Sequence, residues 1–359
     1  QAQRADVVND YLVDVFRSID PDEGLGPDAT ARQLIDQGVA RLDRGELKAQ
    51  PGAEGKLRLT LADSYIALGE YPKADAELAR ARSLLPPSSV DDLAQVHLRQ
   101  GALRLAAEDL EGLQRKLDDS AEWLRVHASS LAEPEAFAAQ LQMSRANLLA
   151  HRERYDEATS LARRAWQRMR KALGDDDKRT RAVLVEYADI LGSSGEFDTA
   201  ATLTKAVADG IRRTKPLNEF ALATALHNQA VFLSRAGKME PAIATEQQAL
   251  SIRRRILPPG HPYIALSLGE LAPMLESTAR IREALPLHEE AVAIMRKQPP
   301  GSEYDLGLRI NNWGIGCYNQ GDMACAMEKI REAIGIWAQA LPADHSSLLT
   351  ARSSLAALY

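Results

Sequence analysis

Apolar residues recur along this chain at alternating three- and four-residue intervals, in stretches separated by short segments rich in glycine and proline. That spacing gathers the apolar residues on one face of a helix, so the chain reads as a succession of amphipathic helices. A stricter pattern lies within it. From Ala158, steps of 42 residues land on Ala200, Ala242, Ala284 and Ala326, and two steps back lies Ala74. Seven residues later a second small side chain recurs, at Ala81, Ala165, Ala249, Ala291 and Ala333, with Val207 a mild exception. Twelve residues before the first series comes a third: Ala62, Ala146, Ala188, Ala230, Ala272, Gly314 and Ala356.

The spacing has a steric reason. Two antiparallel helices approach closely only where both present small side chains, and a gap of twelve places one on each arm of a hairpin. The turn between the arms carries Gly69, Gly195, Gly237 or Gly321, followed by a bulky apolar residue such as Tyr71, Tyr155 or Phe197. Breakers join the repeats: Pro86-Pro87, Gly174-Asp175, Pro258-Pro259-Gly260, Pro299-Pro300-Gly301 and Leu341-Pro342. The pattern predicts seven helical hairpins over 54–347, with 348–359 opening a further one. The copy at 96–137 is degenerate, because Arg104, Lys116 and Trp123 fill its three small slots. Longer, displaced helices are expected there, with the phase of the repeat preserved. Residues 1–53 read as a cap: a helix at about 3–18, an acidic loop from Asp20 to Asp28, and a second helix beginning near Ala29. The chain opens on Gln1, so it is expected to be a segment of a longer protein.

Small residues at these three slots, with an aromatic after the turn, resemble the tetratricopeptide repeat. The 42-residue length and the run from Gln247 to Pro262 are similar to its kinesin-light-chain type. The resemblance implies an all-α, right-handed superhelical solenoid whose first helices line a concave surface for a protein or peptide ligand. The cap carries a second resemblance, in Val7-Val8-Asn9-Asp10-Tyr11-Leu12-Val13-Asp14-Val15-Phe16, Asp20-Pro21 and Thr30 to Gly38. It is similar to the stretch following the catalytic domain in bacterial serine/threonine protein kinases with carboxy-terminal repeats of this type. That implies a periplasmic sensor region of a membrane-anchored kinase. The alternative is a cytoplasmic adaptor, or the repeat region of a regulatory ATPase or transcriptional regulator. No kinase motif lies in the chain itself.

Charge narrows the function classes. Charged residues make up 26% of the chain, yet the net charge is only −6. No basic stripe is present to neutralise phosphates, which argues against a nucleic-acid partner. No apolar run reaches the roughly 18 residues needed to span a bilayer, so direct membrane insertion is not expected. The seven histidines are scattered without ligand spacing, so neither metal nor cofactor is expected. No nucleophile motif or carboxylate pair stands out, and the chain is expected not to be an enzyme. Self-association stays open. The two cysteines, Cys317 and Cys325, flank the Gly321 turn, each about one helical turn from it. They are either a disulfide, which would fit an oxidising compartment, or two free thiols.

Candidate ligand contacts follow from counting along each first helix from its small slot. They are Asn147, Glu186, Asp189, His227, Asn228, Arg235, Glu270, Asn311, Asn312, Tyr318 and Asn319, with Glu276 in an equivalent slot. An asparagine amide both donates and accepts, so it can hold the backbone of an extended peptide without selecting a side chain. The carboxylates among them favour a ligand bearing lysine or arginine. Pro273 falls one residue after Ala272, inside a first helix, and is expected to kink it.

Overall fold

The computed structural model describes residues 30–299 and 301–358, and among these every regular element is helical. The helix expected at 3–18 and the acidic loop from Asp20 to Asp28 lie outside the described residues, as do Pro300 and Tyr359. The chain divides between Ile190 and Leu191 into two compact units. The first holds α1 (Ala31–Asp43), α2 (Pro51–Ala67), α3 (Tyr71–Leu84), α4 (Val90–Ala106), α5 (Leu110–His127), α6 (Pro134–His151), α7 (Tyr155–Leu173) and most of α8 (Lys178–Ser193). The second holds the end of α8 and then α9 (Phe197–Arg213), α10 (Glu219–Arg235), α11 (Met239–Ile256), α12 (Pro262–Ser277), α13 (Ile281–Met295), α14 (Glu303–Asn319), α15 (Met323–Ala340) and α16 (Ser346–Ala357). In unit 1 the hairpins are α2/α3, α4/α5 and α6/α7; in unit 2 they are α10/α11, α12/α13 and α14/α15. Each hairpin stacks on its neighbour in sequence, so every unit is a short solenoid.

Local chemistry sets the helix ends. Thr30 opens α1 with a capping box, its hydroxyl accepting from the Gln33 amide while the Gln33 side chain accepts from the Thr30 amide. Pro51, Pro134 and Pro262 each stand in the first turn of a helix, where the missing amide hydrogen costs nothing. Each hairpin turn needs one residue with positive φ. Gly69, Gly195, Gly237 and Gly321 supply it, while Glu108, Glu153 and Ala279 adopt it despite their side chains, at φ between 55° and 61°.

Those seven turn residues carry a finding that the 42-residue count missed. Gly69 to Glu108 is 39 residues and Glu108 to Glu153 is 45, after which Gly195, Gly237, Ala279 and Gly321 follow at 42. The degenerate copy has therefore slipped by three residues, and its phase is not preserved. In the slipped frame its small slots are Gly101, Leu113 and Ser120, all buried. The three residues return in the single 3-10 turn Ala128–Ser130 ahead of α6. Its helices, at 17 and 18 residues, are no longer than those of the other repeats. Arg104 turns outward to Asp75 at 2.8 Å, and Trp123 packs edge-on to Phe137 instead of filling a helix crossing.

Elsewhere the small series lines the crossings. Ala62, Ala74, Ala81, Ala146, Ala158, Ala165, Ala188, Ala200, Ala230, Ala242, Ala249, Ala272, Ala284, Ala326 and Ala333 are completely buried. Gly314 is tighter still, since a Cβ there would stand 2.8 Å from Ile330 Cγ1. Ala356, on the last helix, is exposed. Pro273 does not interrupt α12, which runs unbroken from Pro262 to Ser277 with the proline ring exposed. At that position the lost hydrogen bond falls on a solvated face, where water can replace it. Cys317 and Cys325 form a disulfide across the α14/α15 turn, with Cα atoms 5.8 Å apart.

The turns generate a paired prediction. Ala279→Gly should stabilise the protein by about 1 kcal/mol, because left-handed backbone costs a side-chain-bearing residue roughly that much. Gly237→Ala, at the matching turn, should destabilise by a similar amount. Urea unfolding midpoints moving in the same direction for both variants would contradict the shared turn geometry.

Candidate peptide-binding face

In unit 2 the structure separates the predicted contacts into two groups. Asn228 on α10, Glu270 on α12 and Asn311 and Asn312 on α14 are half-buried, while Tyr318 and Asn319 are exposed. Beside them Ile315 is 43% exposed and Tyr318 50%, a large apolar area for adjoining positions on one helix. Arg235 is also exposed, its guanidinium 6.0 Å from the Phe197 ring. His227 does not belong to this face. It is buried, and its Nδ1 donates to both Glu246 oxygens at 3.0 Å, tying α10 to α11. Glu276 is likewise inside, accepting from His288 Nε2 at 2.8 Å across the α12/α13 hairpin.

The reason is helical phase. The slot three residues before the small position lies almost above it on the helix and so faces the second helix. Leu59, Met143, His227 and Gly269 occupy that slot and are buried, while Val185 and Asn311, in the same slot of two other repeats, stay half-buried. The slots two before and one after rotate away towards solvent. Grouping the first slot with the second made His227 and Asn228 look equivalent, and they are not.

The partners Glu246 and His288 were missed by reasoning from sequence. Both occupy the second-helix slot four residues after its first small position, where Leu78, Ala162 and Ile330 stand in other repeats. In the slipped copy Leu117 holds that slot, and Ser120, three residues on, hydrogen-bonds His97 Nδ1 at 3.0 Å; burial pushes the His97 imidazole down to about 4. Polar residues at an otherwise apolar slot were the available signal. Gly316 of α14 packs directly on the Glu276–His288 pair, since a Cβ there would lie 2.3 Å from Glu276 Oε1.

In unit 1 the inner face is a set of polar links between successive first helices. Lys56 on α2 reaches Asp92 on α4 at 3.1 Å, and Asp63 accepts from Arg99 Nε at 2.9 Å through both oxygens. Asn147 on α6 donates to Glu186 on α8 at 2.7 Å. Glu186 and Asp189 lie one turn apart on α8. Burial, opposed by the Asn147 hydrogen bond, pushes the Glu186 carboxyl up. Asp189 keeps a solvent-exposed side chain, yet the protein packed around it pushes its carboxyl up to about 6. Among the described residues no group of three or more metal-ligating side chains comes together, and no helix is long and apolar enough to cross a membrane.

Comparison with known proteins agrees with this architecture. Family profiles described as tetratricopeptide repeat match residues 139–177 and 221–297, so the chain carries repeats of that kind. No curated protein matches the chain. Among solved structures, BtubC (BKLC) from P. vanneervenii is 22% identical over 64% of this chain and 91% of its own, with a TM-score of 0.56. The apo form of RapI is 14% identical over 93% of this chain and 87% of its own, with a TM-score of 0.58. A Rap protein complexed with Competence and Sporulation Factor is 12% identical over 99% of this chain and 97% of its own, with a TM-score of 0.55. At these identities the likeness is one of fold.

Substitution distinguishes core from surface at adjacent residues. His227→Ala should cost about 2–3 kcal/mol, because it strands the Glu246 carboxylate in the interior. Asn228→Ala should stay within about 0.5 kcal/mol. Equal destabilisation in chemical denaturation would contradict the assignment of His227 to the interior and Asn228 to the accessible face of α10.

Proposed function

We propose that the first-helix face of unit 2 binds an extended segment of a protein partner. The observation that carries this reading is the accessible row Asn228, Asn311 and Asn312 beside the exposed Ile315 and Tyr318. The amides supply paired donors and acceptors for a peptide backbone, and the apolar side chains supply area to bury. The Rap structure solved with Competence and Sporulation Factor supports the reading by fold alone, as a helical repeat protein of similar extent with a bound factor. In unit 1 the carboxylates of Glu186 and Asp189 favour lysine or arginine in whatever docks there. The chain acts as a binding scaffold without catalysis of its own.

Its setting, in the same proposal, is the sensor region of a bacterial membrane-anchored serine/threonine protein kinase, placed in the periplasm. The cap sequence resembling the region after such kinase domains supports this, and the Cys317–Cys325 disulfide suits an oxidising compartment. Partner binding then reaches the kinase through changes in how the stacked hairpins bend, because each repeat touches only its neighbours. The runner-up is a cytoplasmic adaptor. An upstream kinase domain and membrane span in the parent gene support the first reading; an upstream nucleotide-binding domain supports the second.

Recovery of a partner on the purified chain, repeated with Asn228→Ala and Asn312→Ala, tests the face. Each substitution should weaken binding about tenfold, the equivalent of one or two hydrogen bonds. Unchanged recovery with both would remove the asparagine row from the interface. The raised Asp189 carboxyl gives a second test. A cationic peptide bound in unit 1 should bind less tightly at about pH 5 than at about pH 8, because Asp189 loses its charge as pH falls through about 6. Its effect on stability has the opposite sign. The folded form holds this proton above the unfolded value, so the contribution is present at low pH and lost as pH rises through about 6. Affinity that is flat across that interval, in salt-matched titrations, would contradict the role of Asp189.

A further inference from the structure

Unit 2 contains a pocket of about 160 Å³ at the edge of the stack, lined by Pro262, Tyr263, Leu266, Met295, Asp305 and Arg309. Its lining is mainly apolar, with Arg309 its one basic residue. Only 6% of the Arg309 side chain is exposed, and Nη1 is buried without a hydrogen-bond partner. The nearest acidic oxygen is Glu270 Oε1 at 3.6 Å, within ion-pair range but beyond a hydrogen bond. The chain makes room for this cation deliberately: α12 carries Gly269 where a Cβ would fall 2.2 Å from Nη1. A buried guanidinium that the protein leaves short of acceptors is expensive, and native interiors rarely contain one without a reason.

Arg253 is the other buried guanidinium of this unit, and it is partly satisfied: its Nη2 also lacks a hydrogen-bond partner, but its Nη1 does not. It is almost completely buried, and its Nη1 donates to the Tyr263 carbonyl at 3.1 Å and to Ser267 Oγ at 2.7 Å. Arg309 receives no equivalent acceptor. Tyr263 connects the two sites. Arg253 lies 5.4 Å from its ring, Phe220 packs edge-on at 5.2 Å, and His261 stacks at 5.4 Å. The tyrosine wall is thus held in place before any ligand arrives, which lowers the entropic cost of filling the pocket.

From these observations we infer that the pocket is a binding site for a carboxylate bearing a short branched apolar group, its oxygens on Arg309 and its hydrocarbon against Tyr263, Leu266 and Met295. Guanidinium and carboxylate match in charge and in planar hydrogen-bonding geometry. The volume admits a group of a few heavy atoms, on the scale of about 30 Å³ for each water displaced. Asp305 lies at the exposed rim and opposes the anion weakly, through solvent. The inference is independent of the inner-face reading, because none of the six lining residues belongs to the asparagine row.

The same carboxylate chemistry has two sources, a free small acid or a peptide, and calorimetric titration of the whole chain separates them. The probes are 3-methylbutanoate, a blocked peptide with one internal glutamate beside a leucine, and a peptide ending in leucine with a free carboxylate. At least one should bind saturably in the millimolar range or tighter, and the one that binds identifies the source. Arg309→Gln should weaken it at least tenfold, the loss of a charge-assisted pair. Gly269→Ala should weaken it too, by displacing the guanidinium while keeping it. Asp305→Asn, on an exposed side chain, should strengthen it about threefold. No saturable binding by any probe would overturn the inference, as would unchanged affinity in a folded Arg309→Gln protein or weaker binding in Asp305→Asn.

Discussion

Everything in this protein depends on how closely two helices can approach, and that distance is set by side chains no larger than a methyl group. Alanines buried to the last atom line the helix crossings of the hairpins, and where even alanine is too large the chain uses Gly314. Close approach lets the larger residues on either side interlock at the density of a protein interior. A larger residue at one of these slots would wedge the pair apart, with an overpacking cost of about 1–3 kcal/mol. Because each hairpin buries its apolar faces on its neighbours, this local spacing is what the stack multiplies.

That constraint also decides what is left for function. A helix with one face committed to its partner, and another to the next hairpin, retains a narrow accessible strip. On α10, α12 and α14 that strip carries Asn228, Glu270, Asn311, Asn312, Ile315 and Tyr318. Polar groups one position out of phase are drawn inside and must be paired there, as His227 is with Glu246 and His288 with Glu276. Arg309 differs from these pairs: it is inside and charged, lines a pocket, and makes no hydrogen bond through Nη1. Interior pairs fix the register of the hairpins, while accessible amides and the Arg309 side chain at the pocket are available to ligands.

Much of this was legible in the sequence, since steric requirements at a helix crossing leave a periodic trace. The alanine series, the turn glycines and the proline breaks each located a real element. The slip of three residues was not legible, because Arg104, Lys116 and Trp123 could be counted as lost small slots when Gly101 and Ser120 were the true ones. A period searched at fixed length cannot see a 39-residue copy followed by one of 45. The inner face was legible in part. Position along a helix identified which residues stand near the groove, but a single residue is 100° of rotation, and that separates a buried histidine from an accessible asparagine. The pairing of the cysteines needed the geometry of the turn as well as the count, and Arg309 gave no sequence signal because arginine is ordinary on a helix surface.

The central claim is that a partner lies along the first helices of unit 2. Hydroxyl-radical footprinting of the chain, with and without a captured partner, tests it most directly. Ile315 and Tyr318 should lose reactivity in the complex, while Met323, 47% exposed at the start of the second helix α15, should keep it. Protection confined to second-helix residues, with Ile315 and Tyr318 unchanged, would contradict the account.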